Sequence, residues 1–315
     1  MNVLDILSVL APVFVVIGLG YFGGKRKFFD DHQIEGFNEF VLGFALPAMI
    51  FASVLATPRS VLAEDAILFL AVVLVQLVFL VLGVVLGKAV LRQGLAAASI
   101  IGLLIAVPTA AFMGTPILDG LFSKASSSNA IALYAIATNV TVLPLSIVLL
   151  EWGTRPADEA RGVGAILGEV LRKTISKTLV WSPLVALALV AIGVHVPSPF
   201  DNSLDLIGES TSAVALFAAG LILSRYRLHI GPQPVMLALL KNLAQPALML
   251  GLALLFGITG VARSESVILT AMPASVVAPM FAVRYRSYEA ESASTLIVGT
   301  VLSIPTLVLI VSLLD

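Results

Sequence analysis

Val107-Pro108-Thr109-Ala110-Ala111-Phe112-Met113-Gly114-Thr115-Pro116-Ile117 lies inside a run without charged residues that extends from Gln93 to Leu118. About 20 apolar residues suffice to span a bilayer, so this run is long enough to cross one. The stretch contains two prolines, and each lacks an N–H group and clashes with the preceding helical turn. In hydrocarbon, such a break is tolerated only where protein or a water-filled cavity covers the freed backbone groups. The stretch therefore predicts a broken membrane helix whose break lines a cavity.

A second stretch of the same kind is Ala271-Met272-Pro273-Ala274-Ser275-Val276-Val277-Ala278-Pro279-Met280, in the charge-free run between Glu265 and Arg284. Two proline-interrupted spans at corresponding positions of two halves are typical of the binding site of a transporter. The alternative is a pair of structural kinks, which many membrane helices contain. The matched placement of the two breaks favours a site.

Composition places the chain among polytopic membrane proteins. Hydrophobic residues make up 59% of it and charged residues 12%, with a mean hydropathy of +1.07, whereas an average globular chain has about 25% charged residues. The net charge of −1 gives no reason to expect a nucleic-acid partner, and the absence of cysteine excludes disulfides and thiol chemistry. The sequence contains neither an HExxH motif nor a Walker A loop, so we predict no enzyme, no cofactor and no metal site.

Hydropathy predicts ten membrane-spanning helices, the fourth and ninth of which are the broken ones. Residues 1–150 hold the first five, residues 151–177 form a polar cytoplasmic loop, and residues 178–315 hold the second five. An odd number of helices per repeat makes the second repeat enter the membrane from the opposite side. The expected fold is therefore an all-α polytopic membrane protein made of two inverted five-helix repeats, with crossover helices four and nine.

The distribution of basic residues supports this topology. If both termini lie outside, 14 of the 18 Lys and Arg residues fall on the cytoplasmic side, three fall outside and Lys241 lies within a span. Cytoplasmic loops of membrane proteins carry such an excess. We expect a multi-pass protein of the bacterial inner membrane with this orientation. The cytoplasmic set is Lys25, Arg26, Lys27, Lys88, Arg92, Arg155, Arg161, Arg172, Lys173, Lys177, Arg225, Arg227, Arg284 and Arg286, and the outer set is Arg59, Lys124 and Arg263.

Several short motifs together resemble the auxin efflux carrier family, and the likeness extends over essentially the whole chain. They are Pro12, Tyr21, Phe29, Asn38, Phe40, Val41 and Ala45-Leu46-Pro47 in the first two spans, Met113-Gly114-Thr115-Pro116 in the fourth, Glu151-Trp152 after the fifth, and Phe281-Ala282, Tyr285, Ser294 and Pro305 in the last two. The length and the short central loop are more similar to the bacterial permeases of the family, which include carriers of malonate and similar carboxylates.

The resemblance implies that helices four and nine unwind and cross near the middle of the membrane. It also implies a scaffold of helices one, two, six and seven, usually dimeric, and a transport domain that moves as an elevator. In the plant carriers the crossover prolines are followed by amide side chains, whereas this chain has Pro108-Thr109 and Pro273-Ala274. This departure counts against auxin itself as the substrate.

The predicted site combines the two breaks with nearby polar residues. Half-helix N-termini present free N–H groups and a positive dipole end, which favour an anion. Asn139 either bonds a carbonyl of a broken helix or contacts the substrate, and Lys241 either extends to the cytoplasmic interface or supplies a counter-charge for a carboxylate. The candidate substrate-binding residues are Pro108, Thr109, Gly114, Thr115, Asn139, Lys241, Pro273, Ala274 and Ser275.

These features predict a secondary transporter, a permease or efflux carrier, of small organic anions such as mono- or dicarboxylates. We expect an elevator-type alternating-access mechanism and a homodimer, with the organic anion and the lipid bilayer as partners and no nucleic acid. A sodium-coupled organic anion symporter of the bile-acid type is the alternative, although the acidic and amide ligands it needs are sparse at both breaks. Coupling to protons or sodium is left open, as is the direction of transport.

Overall fold

A computed structural model describes residues 3–57, 65–155, 163–194 and 196–314. Within these ranges the protein is all-helical, apart from one isolated bridge between two extended segments. The helices are α1 Val3–Lys25, α2 Asp31–Leu55, α3 Ala66–Val90, α4 Leu95–Ala106, α5 Ala110–Leu118, α6 Ser126–Gly153, α7 Val163–Ile175, α8 Thr178–Ile192, α9 Ser198–Arg225, α10 Pro232–Leu255, α11 Gly260–Ala271, α12 Val277–Arg284 and α13 Glu289–Leu314.

Six of the described helices, α2, α3, α6, α9, α10 and α13, are long and apolar enough to cross a membrane. The count rises to seven if α7 and α8, which meet at a 67° bend, form one span. The protein is therefore a polytopic membrane protein. The predicted breaks are present: α4 ends at Ala106 and α5 begins at Ala110, while α11 ends at Ala271 and α12 begins at Val277.

Several long helices contain a π-helical turn next to a proline. The turns Val41–Ala45 in α2, Thr138–Val142 in α6 and Leu240–Ala244 in α10 each end two residues before a proline. Proline clashes with the carbonyl one turn back and cannot donate to it. A π-turn relieves that clash by widening the helix, and such turns recur at functional sites. Proline here shapes the helix without ending it.

Two glycine contacts bring helix backbones together. A Cβ at Gly20 of α1 would lie 2.1 Å from the carbonyl oxygen of Phe217, and a Cβ at Gly220 of α9 would lie 2.1 Å from that of Ile17. In the same way, a Cβ at Gly83 of α3 would lie 2.5 Å from the Cα of Gly102 in α4. Small residues let membrane helices approach this closely. Gly83 opens the GxxxG sequence Gly83-Val84-Val85-Leu86-Gly87, which here packs two helices of the same chain.

The helices form two packed groups. In the first group α9 packs along α1 and α2, and α8 packs against α2. In the second group α4 packs against α3 and α6, and α10 packs against α11 and α13. The breaks belong to the second group, where α3 and α10 also meet. The second group therefore contains both segments that the sequence marks as a site.

Candidate binding site at the crossing of two broken helices

The two breaks meet at an isolated backbone bridge, a point that we call the crossing. Pro108 and Ala274 face each other as an antiparallel bridge pair. The Thr109 N–H donates to the Pro273 carbonyl at 2.8 Å, and the Ser275 N–H donates to the Val107 carbonyl at 2.9 Å. Because these bonds flank the pair, Pro108 occupies the position whose N–H is not needed. The proline that interrupts the helix therefore costs the bridge no hydrogen bond.

Two side chains of α10 cap the carbonyl ends of the broken helices. Gln245 Nε2 donates to the Ala106 carbonyl at 2.7 Å, at the end of α4. Lys241 Nζ donates to the carbonyls of Thr270 and Met272 at 2.7 and 2.8 Å, at the end of α11. The last carbonyls of a helix have no intrahelical partner, so these bonds satisfy groups that the breaks would leave bare. One helix thus stabilises both interruptions, from positions one turn apart.

The observed position of Lys241 contradicts one of its two sequence-based interpretations. Only 1% of its surface is exposed, so it does not extend to the cytoplasmic interface. That interpretation is wrong because the Thr270 and Met272 carbonyls hold the amine inside the protein. If Lys241 supplies the counter-charge for a carboxylate, it does so from this capping position. It is not among the residues that line the cavity described below.

The N-terminal ends of the two half-helices differ. At α12 the end is capped internally, because Ser275 Oγ accepts from the Val277 N–H at 3.3 Å and the Ser275 carbonyl accepts from the Ala278 N–H at 3.2 Å. At α5 the Thr109 side chain makes no capping bond. The N–H groups of Thr109 and Ser275, which sequence predicted as ligand donors, are used in the bridge. The first turn of α5 from Ala110 is therefore the end with donors to offer.

A cavity of about 170 Å³ lies beside the crossing, between the two breaks and the helices α2, α5, α6 and α12. Its lining is mainly apolar, and the residues that line it include no charged side chain. Small-molecule sites commonly pair an apolar lining with a few placed polar groups. The polar groups here come from Ser53, Tyr134, Thr138, Asn139 and Ser275.

The structure brings only part of the predicted residue set to this cavity. Pro108, Asn139 and Ser275 line it. The buried bridge next to the cavity contains Thr109, Pro273 and Ala274, none of which lines the cavity. Further along α5, Gly114 is buried where a Cβ would contact Ile131 and Leu269, and Thr115 is exposed.

Several polar groups of the cavity wall were not in the predicted set. Thr138 Oγ1 donates to the Tyr134 carbonyl at 2.9 Å and accepts from Gln76 Nε2 at 2.8 Å. The Tyr134 hydroxyl lies beside Gln76, yet among the described residues neither this hydroxyl nor Gln76 Oε1 makes a hydrogen bond of normal geometry. Buried polar atoms without partners are costly and call for an explanation. Because Tyr134 is among the residues that line the cavity, a polar ligand bound there is one explanation for its hydroxyl.

Asn139 belongs to the π-turn of α6. Its Nδ2 donates to the Ala135 carbonyl at 2.8 Å, one turn back in the same helix. It therefore bonds a carbonyl of its own helix, which neither sequence-based interpretation of Asn139 included. Gln76 could have been predicted as a functional residue, because it is a single amide in an otherwise apolar span. The sequence around Ser53 and Tyr134 contains no pattern that marks them as site residues.

Comparison with known proteins supports a transporter. A profile of a family described as membrane transport protein matches residues 5–311. An uncharacterized transporter, YfdV of Escherichia coli K12, is 27% identical over 92% of this chain and 91% of its own. Auxin efflux carrier component 8 of Arabidopsis thaliana is 24% identical over 100% of this chain and 99% of its own. A putative malonate transporter of Rhizobium meliloti is 24% identical over 96% of this chain and 93% of its own. With a family match over nearly its whole length, the chain belongs to the auxin efflux carrier family of membrane transport proteins.

Proposed function

We propose that this protein is a secondary transporter of small organic anions and that it binds them in the cavity beside the crossing. The observation that carries the proposal is the pair of broken helices, bridged at Pro108 and Ala274, that borders a mainly apolar cavity with a few polar side chains. Broken helices that meet in this way are a recurrent design of transporter sites. The lining offers hydroxyls and an amide, and the described part of the chain holds no cluster of metal ligands.

A carboxylate suits the groups that remain available. It is acceptor-only, so it needs donors, and the first-turn N–H groups of α5 and the hydroxyls of Ser53 and Tyr134 are donors. The positive end of the α5 dipole adds attraction for a negative charge. The apolar remainder of the lining suits a short carbon chain. Two relatives are named for organic acids, one as a putative malonate transporter and one as an auxin efflux carrier component.

We assign the chain ten spans in two inverted repeats, with both termini outside. In this assignment the first repeat consists of α1, α2, α3, the broken helix α4–α5, and α6. The second repeat consists of α8, α9, α10, the broken helix α11–α12, and α13. The bias of basic residues supports it. So does the parallel between the halves, since each contains one broken helix of two short pieces. The helix α7 joins the repeats.

The proposed motion is an elevator. The scaffold would comprise α1, α2, α8 and α9, which pack on one another, and the remaining spans would carry the site. Contacts at one end join the two groups: Glu39 pairs with Arg284 at 3.5 Å, and Glu151 pairs with Lys177 at 3.2 Å. The Tyr285 hydroxyl also donates to Glu151 at 2.8 Å. All of these residues lie at the cytoplasmic ends in the proposed topology, so this conformation would be closed to the cytoplasm.

The exposed faces of the scaffold are where we place the contact of a homodimer. The proposal has two variants: in one a proton gradient drives the transport of the anion, and in the other a sodium gradient does. Uptake into proteoliposomes with either gradient alone separates them.

A thermal-shift screen of purified protein against mono- and dicarboxylates tests the proposal. Malonate and indole-3-acetate are the first probes, because relatives carry names for malonate and auxin. At least one acid should raise the melting temperature in a dose-dependent way, since a ligand that binds only the folded state stabilises it. Neutral amides of the same acids serve as controls. A screen in which acids and amides behave alike would contradict the assignment of anions.

A further inference from the structure

The connecting helix α7 presents three different faces. Val170 and Thr174 are 1% and 2% exposed, and the helix packs against α6 and α8. Leu167, Leu171 and Ile175 are 43%, 41% and 60% exposed, and their spacing of four residues puts them on one side of the helix. This exposed apolar face is distinct from the face that contacts the protein.

The angles between these faces identify the surroundings of α7. At about 100° per residue, the centre of the apolar face lies about 80° from the centre of the Val170 and Thr174 face. The charged residues Glu169, Arg172 and Lys173 occupy the remaining arc. A helix in water needs only two faces, polar and buried. Three faces fit a helix that touches protein on one side, hydrocarbon on a second and water on a third.

The orientation of α7 agrees with a position at the membrane surface. The segment Ile166–Ile175 makes an angle of 67° with α8. Membrane-spanning helices tilt by about 20° from the bilayer normal, so an α8 that spans places α7 close to the membrane plane. Trp181, 43% exposed, lies one turn inside α8, and tryptophan is enriched at membrane–water interfaces. The start of α8 therefore marks the interface at the level of α7.

The charges on and after α7 favour an anionic surface. From Val163 to Lys177 the chain carries Arg172, Lys173 and Lys177 against Glu169 as its acidic residue. The Glu169 carboxylate pairs with Lys173 at 2.9 Å, and Lys177 pairs with Glu151. The segment keeps a net positive charge, and basic residues beside an anionic leaflet attract its headgroups.

We infer that α7 is an interfacial helix that inserts Leu167, Leu171 and Ile175 into the cytoplasmic leaflet and recruits anionic phospholipid to its basic side. The inference rests on the proposed function only in calling this leaflet cytoplasmic. It concerns a lipid surface and not the transport site. The bilayer thereby holds the joint between the two halves of the chain at a fixed depth.

Fluorophore quenching tests the insertion, and the chain suits it because it contains no cysteine. Leu171→Cys and Lys173→Cys are labelled separately with a small fluorophore and reconstituted into phosphatidylcholine vesicles that contain phosphatidylglycerol. Lipids brominated near the headgroup should quench the label at 171, and aqueous iodide should quench the label at 173. Iodide quenching of both labels alike would overturn insertion. Shielding of the 171 label from both quenchers would also overturn it, because a second copy of the chain then covers that face.

Lipid selectivity is measured with the same labelled protein. Brominated phosphatidylglycerol and brominated phosphatidylcholine are compared at the same low fraction in otherwise identical vesicles. The anionic lipid should quench the 171 label more, and Arg172→Gln should reduce the preference, by up to about fivefold if the full attraction of one basic residue is lost. Equal quenching by both lipids would overturn the recruitment of anionic lipid. Anion binding by the Leu171→Cys protein, measured in parallel, reports on the transport site independently.

Discussion

Lys241 holds the second break in shape by capping two carbonyls from inside the protein. Lys241→Met keeps most of the side-chain volume but leaves the Thr270 and Met272 carbonyls without that donor. A buried polar group without a partner costs about 1–3 kcal/mol, so we expect a lower melting temperature and weaker anion binding. The matched control is Lys88→Met, since Lys88 also lies in a π-turn but is exposed. Equal melting temperatures of the two variants would argue against the capping role.

Tyr134 lines the cavity, and its buried hydroxyl makes no hydrogen bond of normal geometry among the described residues. Tyr134→Phe removes this hydroxyl and leaves the ring packing in place. We expect a melting temperature within about 1 °C of the unchanged protein, because the hydroxyl makes no hydrogen bond of normal geometry to the protein, and an affinity for the anion that falls about tenfold. Isothermal titration with the acid identified in the screen measures the affinity, and Tyr21→Phe on α1 is the control. Unchanged affinity would remove Tyr134 from the site.

At the scale of elements, α1 and α9 depend on glycine for their close approach. Gly20→Ala would place a methyl group 2.1 Å from the Phe217 carbonyl oxygen, whereas the same change at Gly18 meets nothing within 4 Å. Overpacking costs about 1–3 kcal/mol, so Gly20→Ala should lower the melting temperature and Gly18→Ala should not. Thermal unfolding of the two variants in the same detergent measures the difference. Equal tolerance of both changes would mean that the two helices are not held at this distance.

Sequence reasoning predicted the breaks because their cause is local: proline without an N–H, in hydrocarbon, has a limited set of structural outcomes. It could not predict what satisfies them. Gln245 reaches Ala106 and Lys241 reaches Thr270 and Met272 through tertiary packing that neither spacing nor hydropathy reports. The π-turns before Pro47, Pro144 and Pro246 were missed for a related reason, since a proline inside a span can also kink or end the helix.

For the molecule as a whole, the topology is open to a direct test. With both termini outside, a cysteine at Asn2 and one at Arg161 in the central loop should react with a membrane-impermeant maleimide from opposite sides of the membrane. The chain has no cysteine of its own to confuse the labelling. The basic residues predict this outcome, because a missed or added span would reverse every later loop. If both positions were labelled from the same side, the number of spans between them would be even. The first repeat could then not contain five spans, and the inverted-repeat topology would be excluded.

The transport of small organic anions through the crossing is the central claim, and solute counterflow tests it most directly. Proteoliposomes preloaded with one unlabelled carboxylate are diluted into the same acid carrying a radiolabel, so that no coupling ion has to be known. We predict transient accumulation of label for at least one mono- or dicarboxylate. We also predict its loss in Pro273→Ala, where the break can regain a helical hydrogen bond and rearrange the bridge to Pro108. Accumulation no greater than in protein-free vesicles for every acid tested, or full accumulation in Pro273→Ala, would contradict this account.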